Sequence, residues 1–171
     1  MRRVRQPAEI AEAFLAASAE AEGAFSDGRM YLERLIEGGR HIEFQVLCDG
    51  RNAVVIGERE CSVQRRHQKL IEESPSPVMS RAEVTDMGEI IARAVSAMGY
   101  RGAGTIEMLR DADGSLYFME MNTRLQVEHT VTEAVTGLDL VEEQLRIAAN
   151  QPLELEYTLS GHSIECRINA E

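Results

Sequence analysis

No stretch of this sequence approaches the ~20 consecutive apolar residues that a membrane span requires, so a soluble protein without membrane contacts is expected. The start, MRRVRQPAEI, is basic but has no apolar stretch behind it and does not read as a secretory signal. Cysteine is scarce. Cys48, Cys61 and Cys166 are odd in number and lie in no close-spaced pattern, which speaks against a zinc site and for a reducing, cytoplasmic setting. Positive charge is also in deficit, with a net charge of −11. General affinity for nucleic acid, which rests on neutralising phosphates, is therefore disfavoured, and any anion site has to be local. Gly102-Ala103-Gly104 is too short for a phosphate loop, no Walker pattern occurs, and no Ser-His-Asp order stands out. What is present is length: 171 residues suffice for one domain, or part of one, that buries roughly 70% of its unfolded surface.

Hydrophobic periodicity divides this length into elements. Residues 7–24 are Ala- and Glu-rich with Pro7 suited to a first turn, predicting one helix or two short ones. MYLERLI, residues 30–36, reads as a short strand before the Gly38-Gly39 break. HIEFQVL alternates Ile42, Phe44 and Val46 against His41, Glu43 and Gln45, and Asp49-Gly50 turns the chain into a second strand over 53–58. From Glu60 to Pro77 neither period holds and two prolines intervene, so an ordered loop is expected. Ser80 and Glu83 form a capping box ahead of a helix over 81–98, and Asp139 with Glu142 opens a last helix to about Ala149. Strands at 103–110 and 115–122 flank an Asp-Ala-Asp-Gly turn. A four-residue loop there sets Glu107 opposite Phe118, making Glu107 and Glu120 diagonal neighbours on one face. The fold class is thus α+β, an antiparallel sheet with packed helices.

Within YFMEMNTRLQVEH the residues Glu120, Asn122, Arg124, Gln126 and Glu128 alternate with Met121, Thr123, Leu125 and Val127. In an extended strand this alternation gathers two carboxylates, two amides and a guanidinium on one face. Glu107 and Glu120 repel each other unless a cation lies between them, and Asn122 adds a neutral oxygen. Such a set suits Mg²⁺ shared with a nucleoside triphosphate. For two glutamates alone, a solvated hairpin facing Arg101 or Arg110 is the commoner arrangement. Residues 58–69, ERECSVQRRHQK, put Arg65, Arg66, His67 and Lys69 in an otherwise acidic chain. This is either a local field for phosphates or a solvated loop paired with Glu72 and Glu73. Glu33 in MYLERLI is a weak candidate for hydrogen bonds to a nucleobase and ribose.

Taken together, QRRHQK at 64–69, YRGAGTIEM at 100–108, FMEMNTRLQVEH at 118–129, EEQLRIAANQPL at 142–153 and GHSIECRINAE at 161–171 closely resemble biotin carboxylase, of the ATP-grasp superfamily. That family occurs as a subunit or domain of acetyl-CoA, propionyl-CoA, methylcrotonyl-CoA and pyruvate carboxylases. The resemblance implies a ligase of the cytoplasm, linked to fatty acid biosynthesis in acetyl-CoA carboxylase. It carboxylates biotin on a biotin carboxyl carrier protein with ATP and bicarbonate, through carboxyphosphate, and works beside a carboxyltransferase in a homo-oligomeric parent enzyme. Carried over by position, Glu107, Glu120 and Asn122 fall in the Mg²⁺ or Mn²⁺ ligand region. Glu33, Ile36, His41, Gln64 and His67 fall around the nucleotide, and Lys69 near the phosphates and bicarbonate. Arg124, Gln126 and Val127 match the bicarbonate pocket, Glu128 the general base, and Arg167 the residue that stabilises the biotin enolate.

The resemblance also implies a piece of the catalytic unit. Residues 1–36 correspond to the remainder of the ATP-grasp lid subdomain, and 37–171 to the catalytic subdomain, truncated toward its carboxy-terminal end. A glycine-rich lid loop with ATP-binding lysines belongs before Met1 in the family. Without it few groups hold the triphosphate or exclude water, so weak or no activity is expected of these residues alone. Two other readings stand beside this one: another ATP-grasp ligase, such as a carbamoyl phosphate synthase relative, and a non-catalytic assembly fragment of a carboxylase.

Overall fold

The protein, described here over residues 1–170 of a computed structural model, divides into two compact units, Met1–Glu37 and the chain from Gly38 onward. In the first, a 3₁₀ turn at Pro7–Glu9 leads into a single helix, α1 (Ile10–Phe25). Pro7 sits at the start, where its missing N–H costs nothing. The helix stops at Ser26, whose left-handed φ of 56° lets its N–H reach the Glu22 carbonyl at 2.9 Å. The chain then returns along the helix, and the Ser18 hydroxyl donates to the Gly28 carbonyl at 2.6 Å. MYLERLI is irregular, not a strand. Its apolar residues read as a strand, but among the described residues it pairs with no other strand, and an extended segment without a partner is left with unsatisfied ladder groups.

The second unit is built on a six-stranded, fully antiparallel sheet: β1 (Arg40–Asp49), β2 (Ala53–Arg65), β3 (Gln68–Ser74), β4 (Arg101–Arg110), β5 (Leu116–Asn122) and β6 (Ser163–Cys166), in the order β5-β4-β1-β2-β3-β6. Helix α2 (Arg81–Ala97) covers one face, burying Ile91 and Val95 against Ile42, Phe44, Val46, Cys48, Ile106 and Met108. Its amino terminus carries the expected reciprocal cap: the Glu83 N–H donates to Ser80 Oγ and the Ser80 N–H to Glu83 Oε2. On the other face lie α3 (His129–Thr136) and α4 (Leu140–Ala148). There Leu140 and Ile147 of α4 meet Leu47, Ile56 and Ala103 of the sheet. Asp139 caps α4 through the Glu142 N–H at 2.8 Å.

Three further expectations are corrected. Residues 60–77 are not a loop: β2 continues to Arg65, turns through Arg66 and His67 at φ 53° and 64°, and returns as β3. Register shifts between Glu60 and Gln64 break the alternation there and hide the strands from a period-two search. In the β4-β5 hairpin Arg110 pairs with Leu116, and a bulge beyond Met108 and Phe118 brings Glu107 directly opposite Glu120 rather than diagonal to it. The alternating polar run is a strand only as far as Asn122; the chain then bends into α3.

Candidate active site

One row of charge crosses the sheet on the α3 side. Arg59 of β2 is opposite Glu43 of β1, Glu43 is opposite Glu107 of β4, and Glu107 is opposite Glu120 of β5. Directly opposed like charges on neighbouring strands destabilise a sheet, and here Glu43 and Glu107 are also buried, at 0% and 6% exposure. The compensation comes from β3. Lys69 reaches across to Glu43 Oε1, to Glu107 Oε1 at 3.2 Å and to Glu128 Oε1 at 2.6 Å, placing one ammonium among three carboxylates.

Around this centre the network closes. Glu107 Oε1 also accepts from Asn122 Nδ2 and from Gln126 Nε2, each at 2.8 Å, and its Oε2 lies 2.8 Å from His41 Nε2. Gln64 Nε2 lies 2.9 Å from His41 Nδ1, which ties the end of β2 to the imidazole. Glu128, where α3 begins, is held from the other side by Arg167 Nη2 at 2.9 Å, while Arg167 Nε donates to Glu72 Oε1 at 2.6 Å. From the sheet interior to the β6 edge, positive and negative groups therefore alternate: Arg59, Glu43, Lys69, Glu128, Arg167, Glu72.

The ionisation of these groups follows from this arrangement. Burial works against the Lys69 ammonium, but Glu43 and Glu128 outweigh it and hold its pKa above the ordinary lysine value. Burial alone would raise Glu107; hydrogen bonds from His41 and Gln126 and the charge of Lys69 bring it down to about 2. Glu128 is likewise lowered, since Lys69 overrides its desolvation. Burial opposes the charge of Arg167, and Glu72 and Glu128 reverse that effect and raise its pKa. Glu72 goes the other way: desolvation raises it and Arg167 offsets this only in part. The cluster therefore presents ionised Glu107 and Glu128 at neutral pH, beside cations that do not titrate there.

Among the described residues, two buried carboxylate or amide oxygens in this region have no partner, Gln126 Oε1 and Glu72 Oε2. Unpaired buried acceptors are costly, so they mark where a donor is wanted. Glu107, Glu120 and Asn122 form a second subsite at the sheet margin, where Asn122 Nδ2 bridges Glu107 Oε1 and, at 3.2 Å, Glu120 Oε1. The amide nitrogen donates to both carboxylates while Asn122 Oδ1 faces Arg124 Nη2 at 3.4 Å; with the amide turned over, two carboxylates and one amide oxygen make a donor set that fits a hard divalent ion. Two other sets, His41-Glu43-Glu107 and Glu43-Cys61-Glu128, bring their ligand atoms within 4.8 Å of one another; Lys69 already lies on their shared member, Glu43.

Of the residues singled out in the sequence, His41, Gln64, Lys69, Glu107, Glu120, Asn122, Gln126, Glu128 and Arg167 join one connected network. Arg124 lies at its exposed margin, its Nη2 3.4 Å from Asn122 Oδ1. Val127 is exposed, and His67 is exposed at the β2-β3 turn. Glu33 and Ile36 belong to the first unit, in its irregular stretch. Glu43, Arg59, Glu72 and Thr132 were not anticipated as site residues. The signal for Glu43 was present: it alternates with Ile42 and Phe44 in a strand that has neighbours on both sides, and polar side chains on a central strand face have to be paired. Arg59 lay just past the end of the strand expected over 53–58.

The sequence matches, over residues 1–156, the family described as carbamoyl-phosphate synthase L chain, ATP binding domain. It is 54% identical to a biotin carboxylase from a Nostoc species, over the whole of this chain and 39% of that protein. The fold superposes on the biotin carboxylase of Campylobacter jejuni, solved as a β,γ-ATP complex, with a TM-score of 0.88 and 48% identity, over 98% of this chain and 38% of that one. The biotin carboxylase domain of 2-oxoglutarate carboxylase from Hydrogenobacter thermophilus, solved with MgADP, ADP and bicarbonate, gives a TM-score of 0.88 and 46% identity, over 99% and 38% of the two chains. The chain thus spans about two-fifths of the length of the relatives it matches.

Proposed function

The chain belongs to the family of carbamoyl-phosphate synthase L chain ATP-binding domains, and on that premise we propose that it forms the metal, bicarbonate and base-bearing part of a biotin carboxylase. Its α+β fold is that of ATP-grasp biotin carboxylase domains. In the proposed reaction bicarbonate gives up a proton, its oxygen attacks the terminal phosphorus of ATP, and ADP leaves. The resulting carboxyphosphate gives its carboxyl group to the biotin nitrogen on the carrier protein; the bond from that carbon to the phosphate oxygen breaks, and inorganic phosphate leaves with the proton the nitrogen loses. Residues 1–36 are assigned to the remainder of the lid subdomain and 37–171 to the catalytic subdomain. The carrier protein, a carboxyltransferase and a second copy of the enzyme are the proposed partners, and a cytoplasmic setting accords with three unpaired cysteines.

The observation that carries this reading is Glu128, ionised and gripped by Lys69 and Arg167 beside the orphaned Gln126 Oε1. A carboxylate whose charge is stabilised on both sides stays deprotonated at neutral pH, the state a proton acceptor has to be in. When bicarbonate enters, its single O–H faces Glu128, and Arg124 offers a planar fork to its other oxygens. Lys69 screens the approach of one anion to another. Arg167, freed from Glu128 once that group is protonated, is placed to stabilise the enolate form of biotin. Glu107, Glu120 and Asn122 would hold Mg²⁺ or Mn²⁺, which when bound neutralises phosphate charge. His41 and Gln64, with Glu33, Ile36 and His67, are assigned to the nucleotide.

The test is ADP formation by a catalytic unit containing this sequence, with and without bicarbonate and free biotin. Dependence on bicarbonate and stimulation by biotin are expected. The family description itself favours a second reading, an ATP-grasp ligase of the carbamoyl-phosphate synthase type; ATP cleavage indifferent to biotin would select it. Stable binding to a carboxylase subunit without nucleotide binding would select a non-catalytic assembly role.

A further inference from the structure

Arg59 is the largest fully buried side chain among the described residues, and nothing in the reading above uses it. Its Nη1 donates to Gln45 Oε1 at 2.7 Å and to Thr132 Oγ1 at 2.9 Å, and its Nη2 to Glu43 Oε2 and Thr105 Oγ1, both at 3.3 Å. One guanidinium thus joins β2 to β1, β4 and α3. Burying such a charge is expensive, and replacing a buried ion pair with apolar groups is often neutral or stabilising, so the group's presence asks for a reason other than stability.

Its partners supply one. Glu43 uses its second oxygen, Oε1, to hold the Lys69 ammonium. Thr132 lies one helical turn beyond Glu128, the residue immediately before α3. Arg59 therefore grips the carboxylate that holds the Lys69 ammonium and, through Thr132, the helix that follows Glu128, from two nitrogens of one rigid plane.

We propose that Arg59 is a positioning residue that fixes Lys69 against Glu128 by holding both of their supports at once. The inference deepens the function proposed above and rests on its assignment of Lys69 and Glu128. Arg59 touches no substrate; it acts through the two groups it holds. A lysine in its place would supply the charge but not two donors in a fixed fork, so charge and geometry are separable by substitution.

The test uses Arg59→Lys and Thr132→Val, the second of which keeps every charge and removes only the hold on α3. The spectroscopic readout is the Lys69 Nζ ammonium resonance in ¹⁵N-labelled chain, a signal that survives only while a lysine ammonium is held and shielded from exchange. It is expected in the parent chain and lost or strongly broadened in both variants. In the complete carboxylase, bicarbonate-dependent turnover should fall about tenfold in Thr132→Val, the equivalent of one hydrogen bond, with the KM for ATP unchanged. Retention of the Lys69 resonance in Thr132→Val, which is expected to fold even if Arg59→Lys does not, would overturn the proposal. Loss of the resonance with unchanged turnover would uphold the grip and overturn the catalytic assignment beneath it.

Discussion

Replacing Lys69 with methionine keeps length and bulk and removes the one charge shared by Glu43, Glu107 and Glu128, whose side chains are 0%, 8% and 3% exposed. Breaking a buried pair by deleting one partner costs about 3–5 kcal/mol. The depressed pKa of Glu107 points the same way. It is about 2 against an ordinary value of 4.5, which corresponds to about 3 kcal/mol contributed jointly by His41, Gln126 and Lys69. Because this pKa is depressed, the contribution is fully present above pH 4.5 and disappears as pH falls through 4.5 toward 2. In Lys69→Met the carboxylates protonate at higher pH than in the parent, so the variant recovers part of its deficit on acidification. Urea unfolding at pH 7 and pH 5 should therefore show a loss of about 3–5 kcal/mol at pH 7 that is visibly smaller at pH 5. A loss under 1 kcal/mol at pH 7, or an equal loss at both pH values, would refute the idea that Lys69 is what lets the glutamate row exist.

Glu58 tests the opposite sign. It is 3% exposed, desolvation raises its pKa, and its Oε1 accepts the Ser76 N–H at 3.0 Å, a bond an amide oxygen can keep. A raised acid contributes stability below its unfolded pKa and loses it as pH rises. Glu58→Gln should thus match or exceed the parent's thermal midpoint at pH 7, with the advantage shrinking toward pH 4. Ser80→Ala removes one half of the capping box of α2 and should cost about 1 kcal/mol by urea unfolding, with no effect on metal or nucleotide binding. In the complete enzyme, Arg167→Ala should reduce biotin carboxylation more than ATP affinity; an equal loss of both would argue against its role at the enolate.

Much of the fold was legible because local chemistry and tertiary packing agree. Ser80 and Glu83, and Asp139 with Glu142, announced α2 and α4 at the residues where those helices begin, and the alternation of Ile42, Phe44 and Val46 announced the core strand. What stayed hidden depends on partners distant in sequence. The second half of β2 carries Arg59 and Glu60, which look like loop residues until Gln45, Thr132 and Arg40 are folded against them. Helix α3, HTVTEAVT, is rich in β-branched residues, and its apolar Val131 and Val135 are buried by the fold rather than by any strong local preference. MYLERLI shows the reverse case, a strand-like pattern with no strand to pair with. For the site, residue types and spacing pointed to the carboxylates, and the resemblance assigned their roles. The direct Glu107-Glu120 opposition came from a bulge, and the links through Glu43 and Arg59 required the sheet register.

The central claim is that Glu128 serves as base in a bicarbonate- and biotin-dependent ATP reaction. It is tested most directly by measuring ADP release from the complete catalytic unit and its Glu128→Gln variant, with bicarbonate and free biotin added in turn. The parent should release ADP only with bicarbonate and faster with biotin, and Glu128→Gln should lose that dependent rate while still binding ATP. An unchanged rate in Glu128→Gln, or release that ignores bicarbonate, would contradict the account.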